Sequence, residues 1–182
     1  MFAEFLVSSA AFVLFAFWVF RVKFRKDYFR RGKLSFLTLM LGILVFAFHG
    51  NLLYLALPAR WPWLPEMNGS TFLQIISLFF LGTGIIILLV AWSGIGTKIS
   101  LGQDQGRLCT TGLYRYSRNP QLLGYGLVLS YFVIGYFSIP VFLWFLTYCI
   151  AGLFMVQTEE AFLAMKYGDE YQAYCRAVRR II

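Results

Sequence analysis

Two short segments carry most of the chemistry this chain can offer. The first is Gly112-Leu113-Tyr114-Arg115-Tyr116-Ser117-Arg118-Asn119-Pro120-Gln121-Leu122-Leu123-Gly124, and the second, further along, is Glu159-Glu160. Asn119-Pro120 reads as a helix start, with Asn at the N-cap and Pro at the first helical position. A helix N-terminus flanked by Arg115 and Arg118 attracts anions. Glu159 and Glu160 fall just past an apolar run, where the helix dipole mildly disfavours carboxylates, so another partner should justify them. Cations at one point and carboxylates at another match the two ends of an amino-acid moiety, its carboxylate and its ammonium.

The elements that position these residues follow from composition. With 182 residues, 60% hydrophobic, 20% aromatic and 13% charged, the chain lies outside the range of soluble domains and inside that of polytopic membrane proteins. A helix needs about 20 mainly apolar residues to cross the hydrocarbon. Phe2 to Phe20, Leu34 to Leu57, Phe72 to Trp92 and Leu122 to Val156 qualify, the last being long enough for two. Within it, Gly135-Tyr136-Phe137-Ser138-Ile139-Pro140 combines a helix breaker with turn formers and predicts a hairpin of two short spans, near 121 to 137 and 140 to 157. The total is about five spans. The first lacks the basic start and the small-residue cleavage site of a signal peptide and reads as a retained transmembrane helix.

Basic residues set the expected orientation. Arg21, Lys23, Arg25, Lys26, Arg30, Arg31 and Lys33 crowd the first loop, Lys98, Arg107, Arg115 and Arg118 the third, and Lys166, Arg176, Arg179 and Arg180 the tail, against Arg60 on the other side. The positive-inside rule makes that face cytoplasmic and leaves the N-terminus outside. The net charge of +8 is then mostly topology, and nucleic-acid binding is disfavoured because the cations hug membrane ends. Cys109, Cys149 and Cys175 have no metal spacing and are expected as reduced thiols; no metal site is expected. Without repeats or linkers, residues 1–182 read as a single domain.

The last two spans are antiparallel, so the cationic start of one and the anionic end of the other should meet at the same face. Adjacent residues on a helix diverge by about 100°, so only one of the two glutamates is expected to face a shared pocket, the other being solvated or paired with Arg. His49, the sole histidine, is expected to be a hydrogen-bonded packing residue nearer the outer face. Each candidate has a plainer rival: topogenic charge for Arg115 and Arg118, a solvated helix start for the glutamates, and interfacial packing for Tyr171 and Tyr174.

The segment Gly112 to Gly124 resembles the motif of the isoprenylcysteine carboxyl methyltransferase and phospholipid methyltransferase superfamily, usually Gly-x-Tyr followed by Arg-His-Pro-x-Tyr-x-Gly. The tail from Glu159-Glu160 through Tyr167-Gly168-Asp169-Glu170-Tyr171 and Tyr174 to Arg179 resembles that family's ending. The resemblance covers about 81–180. It implies an all-α polytopic membrane protein of about five transmembrane helices with a cytoplasmic C-terminal helix, and S-adenosylmethionine held under a cap formed by the motif loop and that helix. The cofactor residues it implies are Tyr114, Arg115, Arg118, Asn119, Pro120 and Gly124, with Glu159, Glu160, Tyr171, Tyr174 and Arg179. Gly82-Thr83-Gly84 is similar to the Gly-x-Gly that phosphatidylethanolamine methyltransferases pair with Glu-Glu, although glycines also serve close helix packing.

The implied activity is methyl transfer from S-adenosylmethionine to a lipophilic acceptor entering from the membrane, a prenylcysteine-type carboxylate, a lipid amine or another membrane-borne molecule. Asn119 stands where the isoprenylcysteine-type enzymes mostly carry His, which excludes a base at that position. Leu123 replaces the usual Tyr, and the tail lacks the customary Pro. No catalytic residue is assigned. Two other classes stay open: a non-catalytic lipid-binding scaffold, and a nicotinamide-dependent membrane reductase of the sterol reductase type. A transporter is disfavoured by the lack of an inverted repeat, and a soluble Rossmann methyltransferase by the lack of a strand, glycine loop and helix unit. The expected location is a prokaryotic plasma membrane with the active site facing the cytoplasm.

Overall fold

The computed structural model describes residues 2–57, 59, 63–96, 106 and 108–181, apart from the side chain of Ile95. Helix α1 (Phe2–Phe17) continues through a π-helical stretch, Trp18–Phe24, into α2 (Arg25–Arg31). The expected first span ending at Phe20, followed by a basic loop, is thereby corrected: most of those cations lie on a helix. Arg and Lys propagate a helix well, and no Gly or Pro intervenes before Gly32, whose amide closes onto the Tyr28 carbonyl. Ser35 then caps α3 (Phe36–Ala56), its Oγ accepting from the Thr38 amide. Asp27 stabilises this turn, its carboxylate accepting from the Ser35 amide at 2.8 Å.

There follow α4 (Thr71–Ile95), a 3-10 turn (Gly112–Arg115), α5 (Pro120–Gly135) and α6 (Ile139–Ala177). The break between α5 and α6 falls in the segment expected for the hairpin turn, and Ser138 caps α6 by accepting from the Val141 amide. The described residues contain no strand. Four helical runs, Phe2–Arg31, Phe36–Ala56, Thr71–Gly94 and Ile139–Ala177, are long and apolar enough to cross a membrane, while Pro120–Gly135 is a shorter apolar helix. The protein is an all-helical integral membrane protein, and its described residues form five apolar helical segments. Arg60, Lys98 and Arg107, counted above towards orientation, lie outside the described residues.

Helices α1, α3 and α6 pack on one another, α5 packs on α6, and α4 lies along α5. The three-helix centre is aromatic and aliphatic, with Phe5, Phe12, Phe20, Val45, Leu52, Val141 and Trp144 buried. His49 belongs to it. Its ring stacks on Trp144 at 4.7 Å, its Nε2 lies 3.1 Å from the Trp144 carbonyl, and the indole donates to the His49 carbonyl at 2.8 Å. Such polar pairs tie helices together where hydrocarbon offers no driving force for helix association.

The second contact, between α4 and α5, is made by glycine. A Cβ on Gly84 would lie 2.6 Å from the Gly124 carbonyl oxygen and 2.7 Å from the Val128 amide nitrogen, both backbone atoms that cannot step aside. Gly82 faces open space and is exposed. Of the Gly-x-Gly pair, therefore, Gly84 is required for the close approach of α4 to the first turns of α5, and Gly124 for its reciprocal half.

Candidate functional site

At the end of the bundle shared by α2, the start of α5 and the distal part of α6, the chain gathers its partly buried charges. The apolar part of α6 ends near Val156, so Glu159 and everything beyond it project past the membrane-crossing part of the helix. The expected C-terminal helix follows a kink: helical geometry is interrupted at one residue, Gly168, at φ 47° and ψ −120°, and resumes to Ala177. That conformation is essentially restricted to glycine, and it redirects the last turns of α6 towards the start of α5. Because nothing lies within 4 Å of a Cβ built there, Gly168→Ala would act through the backbone alone. It is expected to lower stability by about 1 to 3 kcal/mol, read as a fall in thermal unfolding temperature in detergent.

The redirected segment is held by three sets of contacts. The Tyr174 hydroxyl donates to the Tyr114 carbonyl at 2.6 Å, the Arg118 amide donates to the Arg179 carbonyl at 3.0 Å, and the Asn119 side-chain amide donates to the Arg180 carbonyl at 2.9 Å. The expectation that Asn119 caps α5 with its side chain is corrected here. The residue stands at the N-cap position but makes no side-chain cap, because its side chain is drawn to the tail; Ser117 Oγ accepts from the Asn119 amide at 3.2 Å. Pro120 occupies the first helical position as expected.

Arg118 is the hub. Its Nη1 lies 3.0 Å from Glu160 Oε1, reaches the Tyr171 hydroxyl at 3.4 Å and contacts Cys175 Sγ. Arg180 grips the same glutamate as a fork, Nη2 to Oε2 at 2.7 Å and Nε to Oε1 at 3.1 Å. Such bidentate pairs fix geometry as well as charge. Arg118 Nε is buried and has no partner among the described residues.

Glu159, one position earlier on α6, points elsewhere, as the helical angle between neighbours requires. Its carboxylate accepts a hydrogen bond from the Tyr28 hydroxyl, and Tyr28 itself stacks on Phe162 with ring centroids 4.6 Å apart. Burial is the first cause that raises the Glu159 carboxyl to about 7, the neighbouring Glu160 the second, while the Tyr28 hydrogen bond works in the opposite direction. Tyr114 and Tyr171 are buried, and burial above all raises the hydroxyls of Tyr114, Tyr171 and Tyr174, the last to about 12. These phenols stay protonated near neutral pH and serve as donors and walls. Glu159 is the group in this cluster whose charge changes near pH 7.

The structure thus brings together Tyr114, Arg118, Asn119, Glu160, Tyr171 and Tyr174, with Glu159 beside them. It sets apart Arg115, which is exposed at the end of the 3-10 turn, and Gly82. Arg179 enters only through its carbonyl, its side chain being exposed, and the next residue, Arg180, supplies the guanidinium. Tyr28, Cys175 and Arg180 were not anticipated. Alternation along the tail after the helix ends could have suggested Arg180, but nothing local marks Tyr28.

Comparison with known proteins adds one positive result. A family model for phospholipid methyltransferase matches residues 72–170, more than half of the chain. The match takes in α4, the 3-10 turn, α5 and α6 as far as Glu170, and so includes Arg118, Glu159 and Glu160. No curated protein and no solved structure matches the chain.

Proposed function

The chain belongs to the phospholipid methyltransferase family, and from that premise we propose that it is an integral membrane methyltransferase that uses S-adenosylmethionine and acts on a lipophilic acceptor. The observation that carries this reading is that Arg118, whose buried Nε has no partner among the described residues, and Glu159, whose carboxylate pairs with no arginine among the described residues, lie at the same end of a membrane hairpin.

The residues present fit the amino-acid end of that cofactor. Arg118 Nε offers a donor to a carboxylate, and the Arg118 guanidinium is held in place by Glu160, Tyr171 and Cys175. Glu159 offers the counter-charge for an ammonium, with Tyr28 orienting its carboxylate. When bound, S-adenosylmethionine supplies a methyl group on a sulfonium, which an in-line nucleophile can take without acid catalysis. The chain's own part is then to bind, orient and exclude water, and orientation alone supplies much of such a rate. Its protonated tyrosines and Asn119 suit that role, since none of them offers a base near neutral pH. The acceptor reaches the site laterally from the bilayer, as a lipid amine, a prenylcysteine-type carboxylate or another membrane-borne molecule. In this reading the site end of the bundle faces the cytoplasm, in a prokaryotic plasma membrane, and no nucleic acid takes part.

Calorimetry on detergent-purified protein tests the proposal. One saturable S-adenosylmethionine site is expected, followed by incorporation of the labelled methyl group into a lipid extract. A folded protein that fails to bind S-adenosylmethionine, or that binds a nicotinamide cofactor in its place, overturns it.

A further inference from the structure

We propose that the tip of the first helical hairpin, from Arg21 to Lys33, is a docking surface for anionic phospholipid headgroups of the bilayer in which the chain sits. This inference is independent of methyl transfer. It concerns a part of the chain that precedes the matched residues 72–170.

The charge is unbalanced and outward. Seven cations fall between Arg21 and Lys33 against one acid, Asp27. Asp27 is 7% exposed and spends its carboxylate on the Ser35 amide and on Arg31 within the turn, so it neutralises little of the surface. Arg25, Lys26, Arg30, Arg31 and Lys33 are all exposed. At the other polar cluster on this end of the bundle, by contrast, Arg118 and Arg180 are both turned into Glu160. Topology requires an excess of basic residues on one face, and it does not require that Arg25, Lys26, Arg30 and Lys33 stand on a rigid surface with no acidic partner among the described residues.

Placement points to the headgroup layer. The helix runs without interruption from the membrane through the π-helical stretch to Arg31. At about 1.5 Å per residue its cations spread over roughly 15 Å, beginning at the hydrocarbon edge and covering a headgroup zone of about 5 to 8 Å per leaflet. Those on the water side still lie within about one Debye length of the phosphates at physiological salt.

Apolar groups are interleaved with the charges, as they are where a surface both pairs with headgroups and dips below them. Val22 is 46% and Phe29 41% exposed on the same side as Arg25 and Lys26. The Arg25 guanidinium lies over the Phe29 ring at 5.5 Å and the Lys23 ammonium over Trp18 at 4.7 Å, so the aromatic rings hold the cations at interfacial depth. The Ser35 cap and the Asp27 clip make the tip rigid, so little conformational entropy is lost on binding. Arg21 turns inward instead, its Nη1 3.5 Å from Thr158 Oγ1, next to Glu159.

The test is association of spin-labelled phosphatidylglycerol and phosphatidylcholine with the full chain in nanodiscs. The discs are made of phosphatidylcholine alone, or with phosphatidylglycerol at roughly two to one. Both leaflets are alike, so a change in cellular orientation does not affect the result. The parent is expected to prefer phosphatidylglycerol by about fivefold or more, the ratio that a single basic residue at an anionic surface provides, and the preference should shrink as salt shortens the Debye length. Combined R25Q, K26Q, R30Q and R31Q should abolish most of it. Should that variant fail to fold, K26Q with R30Q, both exposed, should give an intermediate ratio. Equal association of the two lipids with the parent, or a preference that survives the substitutions, overturns the proposal and leaves these cations as determinants of topology alone.

Discussion

Arg118→Ala is expected to weaken S-adenosylmethionine binding by about a hundredfold or more while the protein stays folded. Charge-assisted hydrogen bonds contribute about 1.5 to 3 kcal/mol each, and the substitution removes both the free Nε donor and the guanidinium that neutralises the ligand carboxylate. The fold should survive because the tail is also pinned by main-chain groups. The Arg118 amide still reaches the Arg179 carbonyl, and Glu160 retains the Arg180 fork. Arg118→Lys should recover only part of the affinity, since an ammonium is a point charge and cannot serve Glu160, Tyr171 and a ligand carboxylate in one plane. Calorimetry reports the affinity and thermal unfolding the fold. Parent-like affinity in Arg118→Ala would remove Arg118 from the cofactor site.

Affinity in the parent is expected to fall as pH drops through about 7, the value to which burial and Glu160 raise the ligand-free Glu159. A bound ammonium stabilises the carboxylate and lowers its pKa, so binding releases a proton below pH 7 and weakens by up to about tenfold per unit there. Above pH 7 the carboxylate is already ionised and the dependence levels off. Stability of the ligand-free protein should move the opposite way. The folded state raises this pKa above its unfolded value, so between about 4.5 and 7 it binds more protons than the unfolded chain, and lowering pH stabilises it. Glu159→Gln should bind weakly at every pH, with a flat profile. A parent profile that is flat between pH 5 and 8 would show that Glu159 does not meet the ligand's charge.

Much of the architecture was legible because hydrocarbon imposes a simple rule on sequence. Runs of about 20 apolar residues become helices, and the Gly135 to Pro140 segment ends one helix and starts the next because a proline ring and a serine cap act locally. The meeting of Arg118 with Glu160 was legible for the same reason: a hairpin returns its chain to the same end. Charge, in contrast, misled at the first span. Arg and Lys looked like the end of a helix because they end a membrane crossing, yet they are good helix formers, and the helix stops at Gly32.

What the sequence by itself determined is the helical class, the number of apolar segments, the family and the pair of motifs that face one another. What only the tertiary structure decided is which atoms do the facing. Asn119 gives up its local cap because the Arg180 carbonyl comes within 2.9 Å, a contact between residues far apart in the chain. Arg180 rather than Arg179 grips Glu160, because the direction of each side chain after α6 ends depends on how Gly168 redirects that helix. Tyr28 reaches Glu159 from the first hairpin, and Gly84 is a packing surface for Gly124. Propensity and hydropathy act over a few residues, whereas these contacts depend on the packing of whole helices, and no short stretch of sequence encodes that.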